Sequence, residues 1–177
     1  MKTLYLLRHA KSSWKNPALA DMDRPLNARG KRDAPQMAAL FRGWLSDNSG
    51  VVPQSILCSP AKRARRTARA FRRALALPKH CRAVDARLYF QGVDAMLTLL
   101  LSLDDTVESV LLVAHNPDLT GLQNRLSDAP IDWLPTAALV GLRSPAAHWQ
   151  DLLEQPLEQF YSVYPKQQRL NQQRSPG

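Results

Sequence analysis

Cysteine is scarce in this chain. Cys58 and Cys81 are the only two, and they form no Cys-x-x-Cys pair. That scarcity excludes a disulfide framework and a cysteine zinc site, and it fits a reduced, cytoplasmic compartment. Long apolar runs are also missing, so no membrane span is expected. The N-terminus passes directly into a short strand-like run, so no signal peptide is expected either. Acidic residues are few: 15 Asp+Glu stand against 24 Lys+Arg, a formal net charge of +9. This balance favours anionic partners, whether phosphate groups, acidic proteins or nucleic acid, without choosing among them. His, Cys and carboxylates show no ligand spacing, so neither a metal nor another cofactor is expected. No repeat or linker divides the 177 residues. They read as one domain over 1–165, with a flexible tail over 166–177 rich in Gln, Arg and Pro.

What is present is a series of short buried strands that end on polar residues. Leu4-Tyr5-Leu6-Leu7 is apolar on both strand faces and stops at Arg8-His9. A polar loop follows. Asn27 then caps a helix predicted over about 28–45, with Ala34, Met37, Ala38, Phe41, Trp44 and Leu45 on one face. Pro35 inside it should cost one backbone hydrogen bond. Ser55-Ile56-Leu57-Cys58 is a second strand. After it, Ser59 reads as an N-cap and Pro60 as the first position of a helix to about Leu77. Arg63 lies in the first turn of that helix. Arg65, Arg66, Arg69, Arg72 and Arg73 follow on it, read as a solvated face or as a surface for an acidic partner. Residues 82–84 are a short strand and 93–103 a helix. Ser109 to Ala114 is the strongest strand signal and ends on His115. Asn116 and Pro117 open a further helix with Leu119, Leu122 and Leu126 inward. A last strand is predicted over 136–142, and 146–164 is ambiguous between a helix and an extended pair.

If the strands ending at Arg8-His9, at Ser59 and at His115 are parallel, their carboxyl ends bring two arginines and two histidines to one sheet edge. Helix starts point N–H groups at the same place. Arginine offers a planar fork of donors to phosphate, and a neutral imidazole can attack phosphorus. The result is a positive pocket suited to one phosphoryl group. His80 and His148 lie in no such context.

At these residues the chain resembles the histidine phosphatase superfamily, whose signature after the first strand is Arg-His-Gly; here it is Arg8-His9-Ala10. More narrowly it resembles the SixA-type phosphohistidine phosphatases. The matching stretches are Leu6 to Ser12, Asp23 to Gly30, Ser59 to Ala64 and Val113 to Pro117, in the family's order. The resemblance implies an α/β three-layer sandwich around a mostly parallel sheet. It implies His9 as nucleophile through a phosphohistidine intermediate, with Arg8, Arg63 and His115 binding the phosphoryl oxygens. Lys11, Ser12, Arg24 and Asn116 are candidate secondary contacts. Two departures stand out. Ala10 replaces the signature Gly, so the backbone there should not need a positive φ. Arg87-Leu88-Tyr89-Phe90 lacks the Glu that protonates the leaving group in the mutase and broad phosphatase branches, which leaves Asp21, Asp23 or Asp94 as possible acids. The expected activity is hydrolysis of phosphohistidine on a protein. The alternatives are a phosphatase for a small metabolite or a non-catalytic binder of phosphorylated or nucleic-acid ligands; no specific nucleic acid is expected as a partner.

Overall fold

In β1 (Lys2–Arg8) every side chain but that of Arg8 is buried. Alternation of strand side chains sends Leu4 and Leu6 to one face of the sheet and Tyr5 and Leu7 to the other. A strand buried on both faces needs a layer on each side, and the rest of the chain supplies them. In the computed structural model, which describes residues 1–167, the further elements are α1 (Ala28–Asp47), β2 (Ser55–Cys58), α2 (Lys62–Ala74), β3 (Arg82–Val84), α3 (Val93–Leu101), β4 (Ser109–Ala114), α4 (Asp118–Leu126), β5 (Leu139–Ser144) and β6 (Glu158–Val163). They form one six-stranded sheet in the order β3-β2-β4-β1-β5-β6. Helices α1 and α2 pack with Tyr5, Leu7, Leu111 and Val113 on one face. Helices α3 and α4 pack with Leu4, Leu6, Val110 and Leu112 on the other. The architecture is the expected α/β sandwich.

The four strands β3, β2, β4 and β1 are parallel, whereas β5 pairs antiparallel with both β1 and β6. The ambiguous stretch 146–164 resolves into a 3-10 turn, Trp149–Asp151, followed by β6. The last predicted strand shifts from 136–142 to Leu139–Ser144. Ala137, at φ 60°, donates its N–H to both the Arg8 and His9 carbonyls, so a turn occupies the expected strand start. Two helix starts also differ. Helix α2 begins at Lys62 rather than Pro60, and Ser59 is not its cap. Helix α4 begins at Asp118, with Pro117 in the cap position in place of Asn116. The cap of α1 is as expected: Asn27 accepts from the Gly30 N–H at 2.8 Å, and the helix runs on through Pro35. Among the described residues no helix is long and apolar enough to cross a membrane. Of the expected tail over 166–177, residues 168–177 lie outside the described residues.

Candidate active site

The parallel register places the chemistry. Arg8 pairs with Ala114 across β1 and β4, and the His9 N–H donates to the Ala114 carbonyl at 3.1 Å. His9 and His115 therefore leave neighbouring strands side by side, with ring centroids 4.7 Å apart. On the other side of β4, the Ser59 N–H donates to the Val113 carbonyl at 3.0 Å. This brings the end of β2 and the first turn of α2 to the same edge. Arg63 then turns inward and is only 3% exposed. All four residues expected at the pocket, Arg8, His9, Arg63 and His115, line one cavity of about 300 Å3.

His9 is held in one ring orientation. Its Nδ1 lies 2.8 Å from the carbonyl of Ala10. A carbonyl only accepts, so Nδ1 carries the proton and Nε2 carries the lone pair. The Arg63 Nε–H reaches that Nε2 at 3.3 Å. Ala10 itself is fully buried, and its N–H donates to Thr67 Oγ1 at 3.1 Å. Ala10 is not among the residues with positive φ, which explains why alanine stands where the signature has glycine. Gly30 is the glycine the local packing requires. A Cβ there would collide with the Lys11 carbonyl, so Gly30 lets the start of α1 press against the loop that follows His9.

His115 is held between two polar partners. Its Nε2 is 2.7 Å from Ser59 Oγ, and its Nδ1 is 3.3 Å from Arg63 Nη2. Ser59 Oγ also accepts from the Ala61 N–H at 3.2 Å. The serine read as a helix cap is thus a partner of His115. A Ser-Pro pair before a helix carries no sign of that in the sequence.

Asp21, in the 3-10 turn Asp21–Asp23, closes the other side. Arg63 Nη2 donates to Asp21 Oδ2 at 2.7 Å and Nη1 to the Asp21 carbonyl at 2.6 Å. Tyr89 donates its O–H to the same Oδ2 at 2.9 Å. Of the three candidate acids, only Asp21 lines the cavity; Asp23 and Asp94 are exposed elsewhere. Where a Glu would be useful, Phe90 lines the cavity and its ring lies 4.7 Å from that of His115. Arg8 donates through Nη1 to the Leu134 carbonyl at 2.8 Å. Its buried Nε has no hydrogen-bond partner among the described residues. Lys11, Ser12 and Asn116 line the cavity, and Asn116 is fixed by donating Nδ2 to the Leu134 carbonyl at 3.0 Å. Arg24 does not line it. Its guanidinium lies 3.9 Å from the Trp14 ring centroid, and through Trp14 it borders the cavity only indirectly.

Burial and the arginines set the protonation states. Burial first, with the Arg63 and Arg8 charges adding to it, pushes His9 down from 6.5 to about 3 against the opposing pull of the Ala10 carbonyl. Burial, then His9 and Arg63, push His115 down to about 2. Both rings are neutral at ordinary pH. Burial alone would raise the Asp21 carboxyl, but hydrogen bonds from Arg63 and Tyr89 hold it below its usual value. Asp21 is therefore an anion in this arrangement.

Comparison with known proteins agrees with the geometry. The family model described as histidine phosphatase superfamily (branch 1) matches residues 4–84. An uncharacterized protein of Mycobacterium tuberculosis is 31% identical over 156 residues, covering 82% of this chain and 91% of its own. An Agrobacterium tumefaciens structure assigned as a phosphohistidine phosphatase SixA is 27% identical with a TM-score of 0.74, covering 93% of this chain and 99% of its own. The protein histidine phosphatase SixA complexed with tungstate shares the fold at 22% identity and a TM-score of 0.77, covering 94% and 99%. So does a mycobacterial glucosyl-3-phosphoglycerate phosphatase with VO3, at 17% and 0.64, covering 91% and 98%. With a relative above 30% identity along most of its length and the family model over its first half, the chain belongs to the histidine phosphatase superfamily, and that membership supports phosphatase activity.

Proposed function

We propose that this protein hydrolyses phosphohistidine on a protein, with His9 as the nucleophile. The observation that carries the reading is the locked tautomer of His9. Nδ1–H is tied to the Ala10 carbonyl, and Nε2 faces Arg63 inside the cavity. Nε2 attacks phosphorus as the P–N bond breaks; the substrate imidazole, already protonated from water at its other ring nitrogen, takes the P–N electron pair and leaves as neutral imidazole. Water then attacks the phosphoryl group on Nε2 and releases inorganic phosphate. Arg8, Arg63 and His115 hold the phosphoryl oxygens, which are stabilised most where the donors are fixed beforehand. As the structure stands, His115 Nδ1 accepts from Arg63 Nη2 and Nε2 faces Ser59 Oγ; once a phosphoryl oxygen takes that Arg63 donor, Ser59 can donate its O–H to Nε2 and leave Nδ1–H to donate to a phosphoryl oxygen.

The leaving group supports phosphohistidine over an alkyl phosphate. Among the described residues Asp21 is the one carboxylate lining the cavity, and it is held ionised by Arg63 and Tyr89. A positioned acid contributes about 10²–10⁴-fold to the departure of an alkoxide, whereas an imidazole needs much less help. The test compares kcat/KM on a phosphohistidine peptide, an activated aryl phosphate and a sugar phosphate, with and without EDTA, in wild type, His9→Ala and Asp21→Asn. The expected order puts phosphohistidine and the aryl phosphate far above the sugar phosphate. An acid-labile adduct forms on His9, and no turnover remains in His9→Ala. Comparable rates on the sugar phosphate, lost in Asp21→Asn, would overturn the substrate assignment, and full activity of His9→Ala would overturn the mechanism.

A further inference from the structure

The chemistry above leaves the basic face of α2 unused. Two grooves flank that face. The larger, of about 510 Å3, runs between α1 and α2. Its floor is made of small side chains, Ala34, Ala70 and Ala74. Arg66, Arg69 and Arg73 wall one side and Lys31 the other. Arg66 and Arg69 also line the second groove, of about 240 Å3, with Lys62, Arg65 and Arg82. Among the described residues no carboxylate lines either groove. Arg65, Arg66, Arg69 and Arg73 are exposed, and the ion pairs of the described residues include none of them. Four like charges kept together without an ion-pair partner among the described residues, beside an apolar floor, suit an occupant that supplies both acid and hydrocarbon.

We infer that this groove docks an acidic, amphipathic helical segment of the phosphorylated protein itself, an inference that rests on the proposed protein substrate. Three observations select that occupant. Arg66, Arg69 and Arg73 follow the i, i+3, i+7 spacing of a single helix row, which matches carboxylates repeating at helical spacing on a facing helix. The alanine floor accepts the apolar stripe of such a helix; a nucleic-acid backbone would satisfy the arginines and leave the floor uncovered. The groove also begins beside the phosphoryl site. Arg63 and Arg66 are one turn apart on α2, roughly 4.5 Å along its axis. At the groove's end Leu26 pairs with Ser12, which lines the active cavity.

The test uses a synthetic Glu/Leu peptide with an apolar helical stripe, its scrambled counterpart, a single-stranded DNA oligonucleotide and phosphatidylserine vesicles. Each is titrated against wild type and against Arg66→Glu/Arg69→Glu/Arg73→Glu, with Arg66→Gln/Arg69→Gln/Arg73→Gln as the milder variant. Aryl phosphate hydrolysis reports that each variant is folded. The striped peptide should bind wild type at least tenfold more tightly than the scrambled one, and the charge-reversed variant should lose that binding. A phosphohistidine placed on the striped peptide should show a lower KM than on the scrambled one, with kcat unchanged, and both variants should lose the difference. Equal binding of the two peptides, or DNA or vesicles binding more tightly than the striped peptide, overturns the docking inference. If neither phosphopeptide is hydrolysed while the aryl phosphate is, the proposed substrate fails, and peptide binding still reports on the groove separately.

Discussion

Replacing Arg63 with Met keeps the length of the stem and removes the charge. In the structure this guanidinium touches His9 Nε2, His115 Nδ1 and the Asp21 carboxylate at once, from a position only 3% exposed. Two effects follow from one change. Losing a preorganised donor to the transferring phosphoryl group should cost about 10²–10³-fold in kcat/KM, or about 2.7–4 kcal/mol. The second effect concerns protonation. Arg63 is one of the charges that lower the His9 titration from 6.5 to about 3, second to burial. Without it His9 binds a proton more readily, so the acid limb of kcat/KM moves up in pH. It stays below the free value of 6.5 because burial, the larger cause, remains. Asp21 loses its ion pair, but it is 41% exposed and can turn to water, so the fold should survive. The assay is kcat/KM for an aryl phosphate across pH in both proteins, with circular dichroism as the folding control. A loss below tenfold, or an acid limb that does not rise, would refute the placement of Arg63 at the reacting centre.

Ser59→Ala removes the hydroxyl 2.7 Å from His115 Nε2; kcat should fall with KM changed less, and Ser59→Thr, which restores a hydroxyl, should recover part of it. Gly30→Ala forces a Cβ onto the Lys11 carbonyl, so the loop after His9 must shift, and thermal unfolding and kcat/KM should both worsen, while Gly43→Ala, inside α1 where a Cβ meets nothing within 4 Å, should leave kcat/KM unchanged and raise the unfolding temperature slightly. Acid should destabilise the protein through its two buried histidines, His9 and His115. Their folded values, about 3 and about 2, lie below 6.5, so the unfolded chain binds protons first, and the stability they contribute is full above pH 6.5 and is lost as pH falls toward 3. Urea unfolding at several pH values should show this slope, flattened in His9→Gln/His115→Gln; an unchanged slope in that variant would contradict the buried neutral pair.

Much of the site was legible because it sits at strand ends. The apolar runs before Arg8-His9 and before His115 read as buried strands whose carboxyl ends would meet if they were parallel, and the structure pairs them in parallel. Arg63 followed from the same logic at the start of α2. The direction of β5 and β6 was not legible, because an edge hairpin with an irregular register between Gly141 and Leu142 carries little periodicity. Ser59 was misread for a physical reason: one hydroxyl suits a helix cap as well as an imidazole, and only the register of β2 against β4 decides between them. Asp21 was one of three equivalent aspartates in the sequence. Its place is set by Arg63 and Tyr89, which stand 42 and 68 residues further along the chain, and no local pattern reports such pairings.

The Asp21 contact also bears on the chemistry of the leaving group. Arg63 presents Nη1 and Nη2 to Asp21 and Nε to His9, so a phosphoryl oxygen that takes Arg63 must compete with the carboxylate. The hydrogen bond from Arg63 is the main influence holding Asp21 below its usual value against burial. Once the phosphoryl group takes that bond, Asp21 loses its counter-charge and gains an anionic neighbour, and both changes raise its affinity for a proton. Asp21→Asn separates the two roles. If the carboxylate acts only as a competitor for Arg63, the variant binds tungstate or vanadate more tightly and keeps its phosphohistidine kcat. If it becomes an acid once substrate binds, the variant loses rate in proportion to the basicity of the leaving group, most on a sugar phosphate and least on phosphohistidine. The ionised state of Asp21 between Arg63 and Tyr89 favours the first outcome, because a group that starts as an anion must first take up a proton before it can give one.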